Sequence, residues 1–308
     1  MLAGEWVRRL IGGAERAMLG AYPFLALEWL AVTGNDWNMR SVVPDDAVST
    51  REIDTTVPHI ARIYDYWLGG KDNFAVDREA GRRAAEANPA LFEGVRGNRA
   101  FLARSVRYLA GEAGITQFLD LGTGIPAANN THEVAHAAAP GSHVVYVDND
   151  PIVLAHARAL LTGVDGETAY LDADVRDTAA VLHAAARTLD FSRPVGVMMI
   201  AVLHCVSDED DPWKIVREVM GAVPSGSYLA LTHPSGDFNP ATAAAMLAQV
   251  NKTMPQKITF RPRAEVLRFF DGLDFVEPGL VRVPEWRPDS AADTANPAEV
   301  WGGVARKP

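Results

Sequence analysis

Short apolar runs alternate with amphipathic stretches of helical period from about residue 115 onward. This alternation limits the fold more than any other feature of the sequence, because successive strand–helix–strand units build a mainly parallel sheet covered by helices on both faces. We predict a doubly wound, Rossmann-like α/β domain over residues 113–308, in which ligands bind beyond the carboxyl ends of the strands. The seven runs predicted to be strands are Gln117–Leu121, His143–Val147, Ala169–Leu171, Val195–Val202, Ser227–Thr232, Phe275–Val276 and Trp301–Ala305.

A helical segment over residues 55–112 precedes the predicted sheet. Its first helix is expected to start at a Thr56 cap, has apolar residues at intervals of three or four, and ends at Gly69-Gly70. Two more helices are predicted at about 77–86 and 91–110. We predict that this helical layer forms a lid or substrate layer over the sheet.

Residues 1–54 are predicted to be an N-terminal extension and linker. The stretch Ala17–Val32 is mostly apolar, but Pro23 and Glu28 interrupt it, and it is shorter than the roughly 20 apolar residues that a membrane span needs. Residues 35–54 are rich in turn-forming residues and have no period. We therefore expect an amphipathic appendage rather than a signal peptide or a membrane anchor.

Charge and cysteine content narrow the class of partner. The chain has 29 Lys and Arg against 39 Asp and Glu, a net charge of −10. An acidic protein is a poor match for the phosphate backbone of nucleic acid, so a small-molecule substrate is expected. The single cysteine, Cys205, excludes an intramolecular disulfide and a thiolate-rich metal site, which is typical of a cytoplasmic protein.

The first predicted strand ends in a glycine turn within Phe118–Pro126. Asp120 lies near the strand end, and Gly122 and Gly124 follow with Thr123 between them. Glycine lets the chain turn tightly and lets a ligand approach main-chain atoms. The same spacing satisfies a loose dinucleotide fingerprint, so the turn alone does not identify the cofactor.

Acidic residues at the ends of the first two strands favour one cofactor over the other. The Asp120 carboxylate would repel a pyrophosphate but attract a cationic aminoacyl group. Asp148, at the end of the second strand, is placed to accept hydrogen bonds from ribose hydroxyls. Together the two residues favour S-adenosylmethionine.

A third acid follows the third strand. Asp174 is predicted to accept from an adenine amino group, with the Val175 backbone N–H bound to a ring nitrogen, although a solvated loop acid or a helix cap fits this segment equally well. Asn149 is expected to line the adenosine. Asp150-Pro151 is predicted to open the next helix, with Asp150 as its N-cap.

These motifs make the sequence similar to a bacterial family of S-adenosylmethionine-dependent methyltransferases formerly described as a domain of unknown function. The resemblance covers about residues 53–307 and is strongest in Val57–Phe74, Phe118–Pro126, Val145–Pro151 and Asp190–Pro194. It implies the class I methyltransferase fold, with strand order 3-2-1-4-5-7-6 and an antiparallel final strand. It also implies cofactor contacts at Asp120, Gly122, Gly124, Asp148 and Asp174.

One departure from the class I pattern is Pro126, which stands where a third glycine is common and provides no backbone N–H. Ala201, at the end of the fourth strand, and Thr123 complete the predicted cofactor-binding set. His204 is predicted either as a general base near the transferred methyl group or as a packed structural histidine; His233, after the fifth strand, is a weaker candidate.

In the helical layer, Tyr64 is predicted either to face the sulfonium through its ring or to pack in the core. Asn73 belongs to the segment predicted as a lid next to the substrate. Both residues are therefore candidates for the substrate side of the site.

Two motifs resemble metal sites. His132–His136 matches the H-E-x-x-H pattern of zinc proteases, but it lies in the helix after the glycine turn. Asp208–Asp211 resembles a magnesium cluster, but Asp211 before Pro212 is better explained as a helix N-cap. We predict no metal at either motif.

We therefore expect a cytoplasmic S-adenosylmethionine-dependent methyltransferase that acts on a small molecule at O, N or C and has no nucleic-acid or membrane partner. Two alternatives remain at this point. One is a nicotinamide-dependent oxidoreductase on the same sheet, and the other is a non-catalytic regulatory protein that binds an adenosyl ligand.

Overall fold

The computed structural model describes residues 53–153, 155 and 168–308. Strands in this part of the chain form one eight-stranded sheet of order β3-β2-β1-β4-β5-β8-β6, with β7 paired to β8. The strands are β1 (Gln117–Leu121), β2 (His143–Asp148), β3 (Thr168–Asp172), β4 (Gly196–Ile200), β5 (Tyr228–Pro234), β6 (Asp274–Phe275), β7 (Val281–Arg282) and β8 (Val300–Arg306).

The first five strands are parallel, and β8 runs antiparallel between β5 and β6. The predicted order 3-2-1-4-5-7-6 is confirmed, with β8 in the place of the predicted seventh strand. The predicted count of seven is one too low, because β7 is an additional strand. Since β7 has only two residues, it leaves no alternating pattern in the sequence.

Nine α-helices are described in these residues: α1 (Ile60–Leu68), α2 (Ala75–Ala87), α3 (Leu91–Gly111), α4 (Thr131–Ala138), α5 (Thr178–Ala185), α6 (Pro212–Ala222), α7 (Pro240–Thr253), α8 (Arg263–Leu267) and α9 (Ala291–Thr294). None of the described helices is long and apolar enough to cross a membrane. The predicted extension over residues 1–54 lies outside the described residues, except for its last two positions.

The start of α1 differs from the prediction. The helix begins at Ile60, and the side chain of His59 rather than Thr56 accepts a hydrogen bond from a helical N–H group. Pro58 disfavours helical backbone at the residue before it, which moves the start downstream. The Thr56 hydroxyl instead donates to Asp54 (2.6 Å).

Alternating residues of β1 face two separate cores, because side chains in a strand point to opposite faces in turn. Leu119 and Leu121 lie in the core beneath α5 and α6. Phe118 lies in the core beneath α3 and α4. Asp120 shares the face of Phe118, which brings a carboxylate to the buried side covered by the helical layer.

The helical layer packs around a third core, shared by α1, α2, α3 and α7. A buried ion pair joins its first two helices: Arg62 Nε donates to Asp77 Oδ1 (3.2 Å). Asp77 also accepts from the backbone N–H of His59 (2.9 Å), so one carboxylate fixes both the start of α1 and its angle to α2. The layer and the sheet belong to one compact unit.

Candidate functional site

A cavity of about 220 Å³ lies between the carboxyl ends of the parallel strands and the helical layer. Its floor is made by the segments that follow β1 to β5, and its roof by α1 and the first half of α3. This is the place at which a doubly wound sheet binds its ligands. The predicted site residues that line it are Tyr64, Asp120, Gly122, Thr123, Gly124, Asp148, Asn149, Asp174, Val175, Ala201 and His204.

The two glycines of the turn after β1 are required for different reasons. Both have a positive φ, 70° at Gly122 and 68° at Gly124. A Cβ at Gly122 would overlap the side chain of Val202, whereas a Cβ at Gly124 would meet no atom within 4 Å. The loop after β4 comes so close to Gly122 that no side chain fits there. The space beside Gly124 is open and is available to a ligand.

The carboxylate of Asp148 holds the glycine turn in place. Its Oδ2 accepts from the backbone N–H of Gly124 (2.8 Å), and its Oδ1 accepts from the backbone N–H of Asp150 (3.0 Å). Each carboxylate oxygen has a further lone pair, so the group can still accept from ribose hydroxyls. Burial raises the pKa of Asp148.

Asp120 is almost completely buried, with 4% of its surface exposed. Its Oδ2 accepts from the hydroxyl of Thr131 (2.6 Å). Burial raises the pKa of Asp120 to about 6, because the charged form loses its hydration. A cationic group in the cavity would stabilise the ionised carboxylate.

The third acid, Asp174, is already paired. Its Oδ2 accepts from Nη2 of Arg176 (2.6 Å), and Nδ2 of Asn149 lies 3.4 Å from the same oxygen. Arg176 itself lines the cavity. Sequence reasoning missed Arg176 as a site residue, although its position two residues after the acid is a signal for such a local pair.

The roof contributes a polar pair. Tyr64 accepts from Nδ2 of Asn98 through its hydroxyl oxygen (3.0 Å). The other amide atom, Asn98 Oδ1, is buried and has no hydrogen-bond partner among the described residues. Sequence reasoning missed Asn98; a polar residue within the apolar stripe of α3 is the signal that points to it.

His204 lies in a 3-10 turn, Leu203–Cys205, directly after β4. Its Nε2 lies 3.4 Å from Sγ of Cys205, while its Nδ1 is buried without a partner in the described part of the chain. Burial lowers the pKa of His204 to about 4, helped by the nearby charge of Arg261. The imidazole is therefore neutral near pH 7 and can accept a hydrogen bond.

The structure does not bring Asn73 to the cavity, contrary to the sequence-based expectation. Asn73 is buried in the connection between α1 and α2, where its Nδ2 donates to Asp65 Oδ2 (2.7 Å). Its Oδ1 accepts from Nη1 of Arg78 (3.0 Å). The Asn73 amide therefore stabilises the fold, because it holds the loop after Gly70 against α1.

Both metal-like motifs have structural partners. The two histidines of the H-E-x-x-H motif contact Tyr146 and a backbone carbonyl: His132 Nδ1 lies 2.8 Å from the Tyr146 hydroxyl, and His136 Nε2 lies 2.8 Å from the oxygen of Ser142.

The predicted cap at Asp211 is confirmed, since its Oδ1 accepts from the backbone N–H of Lys214 (3.0 Å). Residues 151–153 are helical, and Asp150 makes the bond predicted for their cap, since its Oδ1 accepts from the backbone N–H of Ile152 (2.9 Å). His233 is fully buried against Arg261.

This site, on a sheet of this order, defines a class I S-adenosylmethionine-dependent methyltransferase. The chain matches the S-adenosyl methyltransferase family over residues 46–308 and belongs to that family. The protein is therefore an enzyme that uses S-adenosylmethionine as methyl donor. Membership of this family argues against both alternatives, a nicotinamide-dependent oxidoreductase and a non-catalytic regulatory protein.

Two solved structures are similar to most of this chain. One is a DUF574 family protein from Streptomyces avermitilis MA-4680, with 45% identity, a TM-score of 0.80, and coverage of 83% of this chain and 100% of that chain. The other is a candidate methyltransferase from Thermobifida fusca YX, with 41% identity, a TM-score of 0.78, and coverage of 83% and 97%. No curated protein matches the sequence.

Proposed function

We propose that the cavity binds S-adenosylmethionine with its adenosine at the ends of β2 and β3 and its aminoacyl group beside the glycine turn. The observation that supports this most strongly is the row of three carboxylates, Asp120, Asp148 and Asp174, which line one cavity from three neighbouring strands. An acid row suits a cationic ligand with free hydroxyl donors and disfavours a diphosphate.

The residues present fit that group. Asp148 keeps free lone pairs for the ribose, and the open space beside Gly124 lets a ligand lie against the backbone. Asn149 and Val175 border the adenine position, together with Asp174. We propose that Arg176 shares Asp174 with the ligand or moves aside, since its side chain is 53% exposed.

The bound cofactor supplies an electrophilic methyl group on a sulfonium. The chain's own contribution is to orient the acceptor and exclude water. Tyr64 presents an aromatic ring from the roof, where a ring can stabilise a nearby cation. Neutral His204 lines the cavity and orients the acceptor; its low pKa makes it a weak proton acceptor.

The acceptor in this proposal is a small molecule between the ends of β4 and β5 and the helical layer. The net charge of −10 supports a small molecule over nucleic acid. A cytoplasmic location stays a prediction, supported by the single cysteine.

Titration calorimetry with the purified protein tests the cofactor proposal. We expect saturable one-to-one heat with S-adenosylmethionine and with S-adenosylhomocysteine, and none with NADH at the same concentration. Binding of NADH in place of both adenosyl ligands would overturn the proposed occupancy of the acid row.

A further inference from the structure

The part of the cavity away from the acid row is here named the acceptor end. It lies beside the ends of β4 and β5 and the start of β8, beneath α1 and α3. Its lining is mostly apolar and aromatic, so it suits a ligand with a hydrocarbon or aromatic body. The apolar lining residues are Trp67, Leu91, Met246, Ile258, Phe260 and Val300.

Glu299 brings a carboxylate to this apolar surface. It directly precedes β8, and its backbone oxygen accepts from the N–H of Ser235 (3.2 Å), which fixes it beside the end of β5. Its Oε2 accepts from Nδ2 of Asn88 at 3.3 Å. Partial burial raises the pKa of Glu299.

No cation among the described residues forms an ion pair with Glu299. The two arginines that line the cavity are committed elsewhere: Arg176 pairs with Asp174, and Arg99 donates to the backbone oxygens of Ala128 and Asn129. The Glu299 carboxylate is partly removed from water and accepts from one neutral donor. Its negative charge is therefore only partly compensated by the described residues.

Two further buried polar atoms, on residues that line the same cavity, lack a hydrogen-bond partner among the described residues. Asn98 Oδ1 and His204 Nδ1 are both buried and unpartnered in the described structure, and both residues line the cavity. Leaving buried polar atoms of this kind without a hydrogen bond costs free energy. The Glu299 carboxylate and the Asn98 amide oxygen accept hydrogen bonds, so the complementary ligand carries a donor.

We propose that the methyl acceptor carries a basic amine on an apolar or aromatic body and that Glu299 binds this amine. An ammonium group supplies three donors and a positive charge, which matches the Glu299 carboxylate. An anionic acceptor would be repelled by Glu299. The proposal rests on the proposed function, because it assigns the acid row to the cofactor.

Titrations of the S-adenosylhomocysteine-loaded protein with matched probes test the proposal. The probes are 2-phenylethylamine, 2-phenylethanol and 3-phenylpropionate, with butylamine and 1-butanol as a smaller pair. We expect each amine to bind about tenfold more tightly than its alcohol, as for a charge-assisted hydrogen bond, and the carboxylate to bind most weakly.

Glu299→Gln should abolish this preference while leaving the fold intact, because the glutamine oxygen still accepts from Asn88. Glu86→Gln removes an equal charge from the exposed surface of α2 and should leave the preference unchanged. S-adenosylhomocysteine should bind wild type and both variants equally.

Three results would overturn the proposal: amines that bind no better than alcohols, a preference that persists in Glu299→Gln, or a loss of S-adenosylmethionine binding alone in that variant. The last result would place the carboxylate opposite the sulfonium instead. Failure of wild type to bind S-adenosylhomocysteine would contradict the proposed function first and this proposal with it.

Discussion

Asp148 performs two tasks with one carboxylate, since it holds the glycine turn and faces the proposed ribose. We expect Asp148→Ala to weaken S-adenosylhomocysteine binding by about 1–3 kcal/mol, because ligand hydroxyls and two backbone N–H groups lose their acceptor. Calorimetry on the two proteins measures the difference.

Asp172→Ala is the matched control for this change. Asp172 pairs with Asp148 in the register of β2 and β3, but it is exposed and lies outside the cavity lining. Equal affinities for wild type and Asp148→Ala would remove Asp148 from the ribose site, and an equal loss in both variants would point to the sheet edge in general.

Asp120 makes the ligand-free protein sensitive to pH. Its pKa is raised from 3.8 to about 6 by burial, so protonation stabilises the folded state. This stabilisation is complete below about pH 4 and is lost as the pH rises through 6. Asp120→Asn keeps an acceptor for Thr131 but cannot ionise.

We therefore expect the free energy of unfolding of Asp120→Asn, relative to wild type, to rise by on the order of 2 kcal/mol between pH 4 and pH 7.5. Urea unfolding at both pH values measures it without ligand. A difference that stays constant across this range would mean that Asp120 is not protonated at low pH in the folded protein.

Each acid of the site was predictable on its own, because it lies at or just after the end of a mostly apolar strand that is visible in the sequence. The contacts of Asn98 and Glu299 were not predictable, because their partners are distant in the chain: Tyr64 lies 34 positions before Asn98, and Asn88 lies 211 before Glu299. Only the folded arrangement of α1, α3 and β8 brings these groups together.

The glycine turn after β1 behaves as one element with two different requirements. Gly122→Ala forces a Cβ into Val202 at a positive φ, whereas Gly124→Ala adds only the strain of a positive φ, on the order of 1 kcal/mol. We expect the first variant to lose more stability by at least about 1 kcal/mol.

Chemical denaturation of the two variants compares them directly. Equal stability would show that the loop after β4 yields easily around Gly122. The contact with Val202 means that a side chain at Gly122 destabilises the fold before it affects a ligand.

The connection between α1 and α2 is held by Asn73, which lies outside the cavity lining. Asn73→Ala removes one donor from the buried carboxylate of Asp65, so we expect a loss of about 1–3 kcal/mol in stability with unchanged S-adenosylhomocysteine affinity. Thermal unfolding and calorimetry on the same preparation measure both. A loss of affinity without a loss of stability would restore Asn73 to the ligand site.

Strands and helix ends were predicted well where the signal is local. β1 is a short, mostly apolar run, and Gly69 ends α1 in a left-handed conformation with φ 82°. The start of α1 was misplaced, because the cap depends on Asp77 of the next helix holding the backbone at His59. β7 needed β8 beside it to exist as a strand.

For the whole molecule, the alternation of strands and helices predicts a parallel sheet and its binding edge, whereas the order of the strands came from the family resemblance. The division of the cavity into an acid row and an acceptor end is a property of the assembled layers. This division arises because the helical layer crosses the ends of the strands, and no local sequence pattern predicts that crossing.

The most direct test of the account is a crystal structure of the protein with S-adenosylhomocysteine. We expect the ribose hydroxyls within about 3 Å of the Asp148 carboxylate and the adenine beside Asn149 and Val175. The acceptor end, with Glu299, should remain free of the cofactor product. Adenosine bound against Glu299, or with its ribose away from Asp148, would contradict the assignment of the acid row.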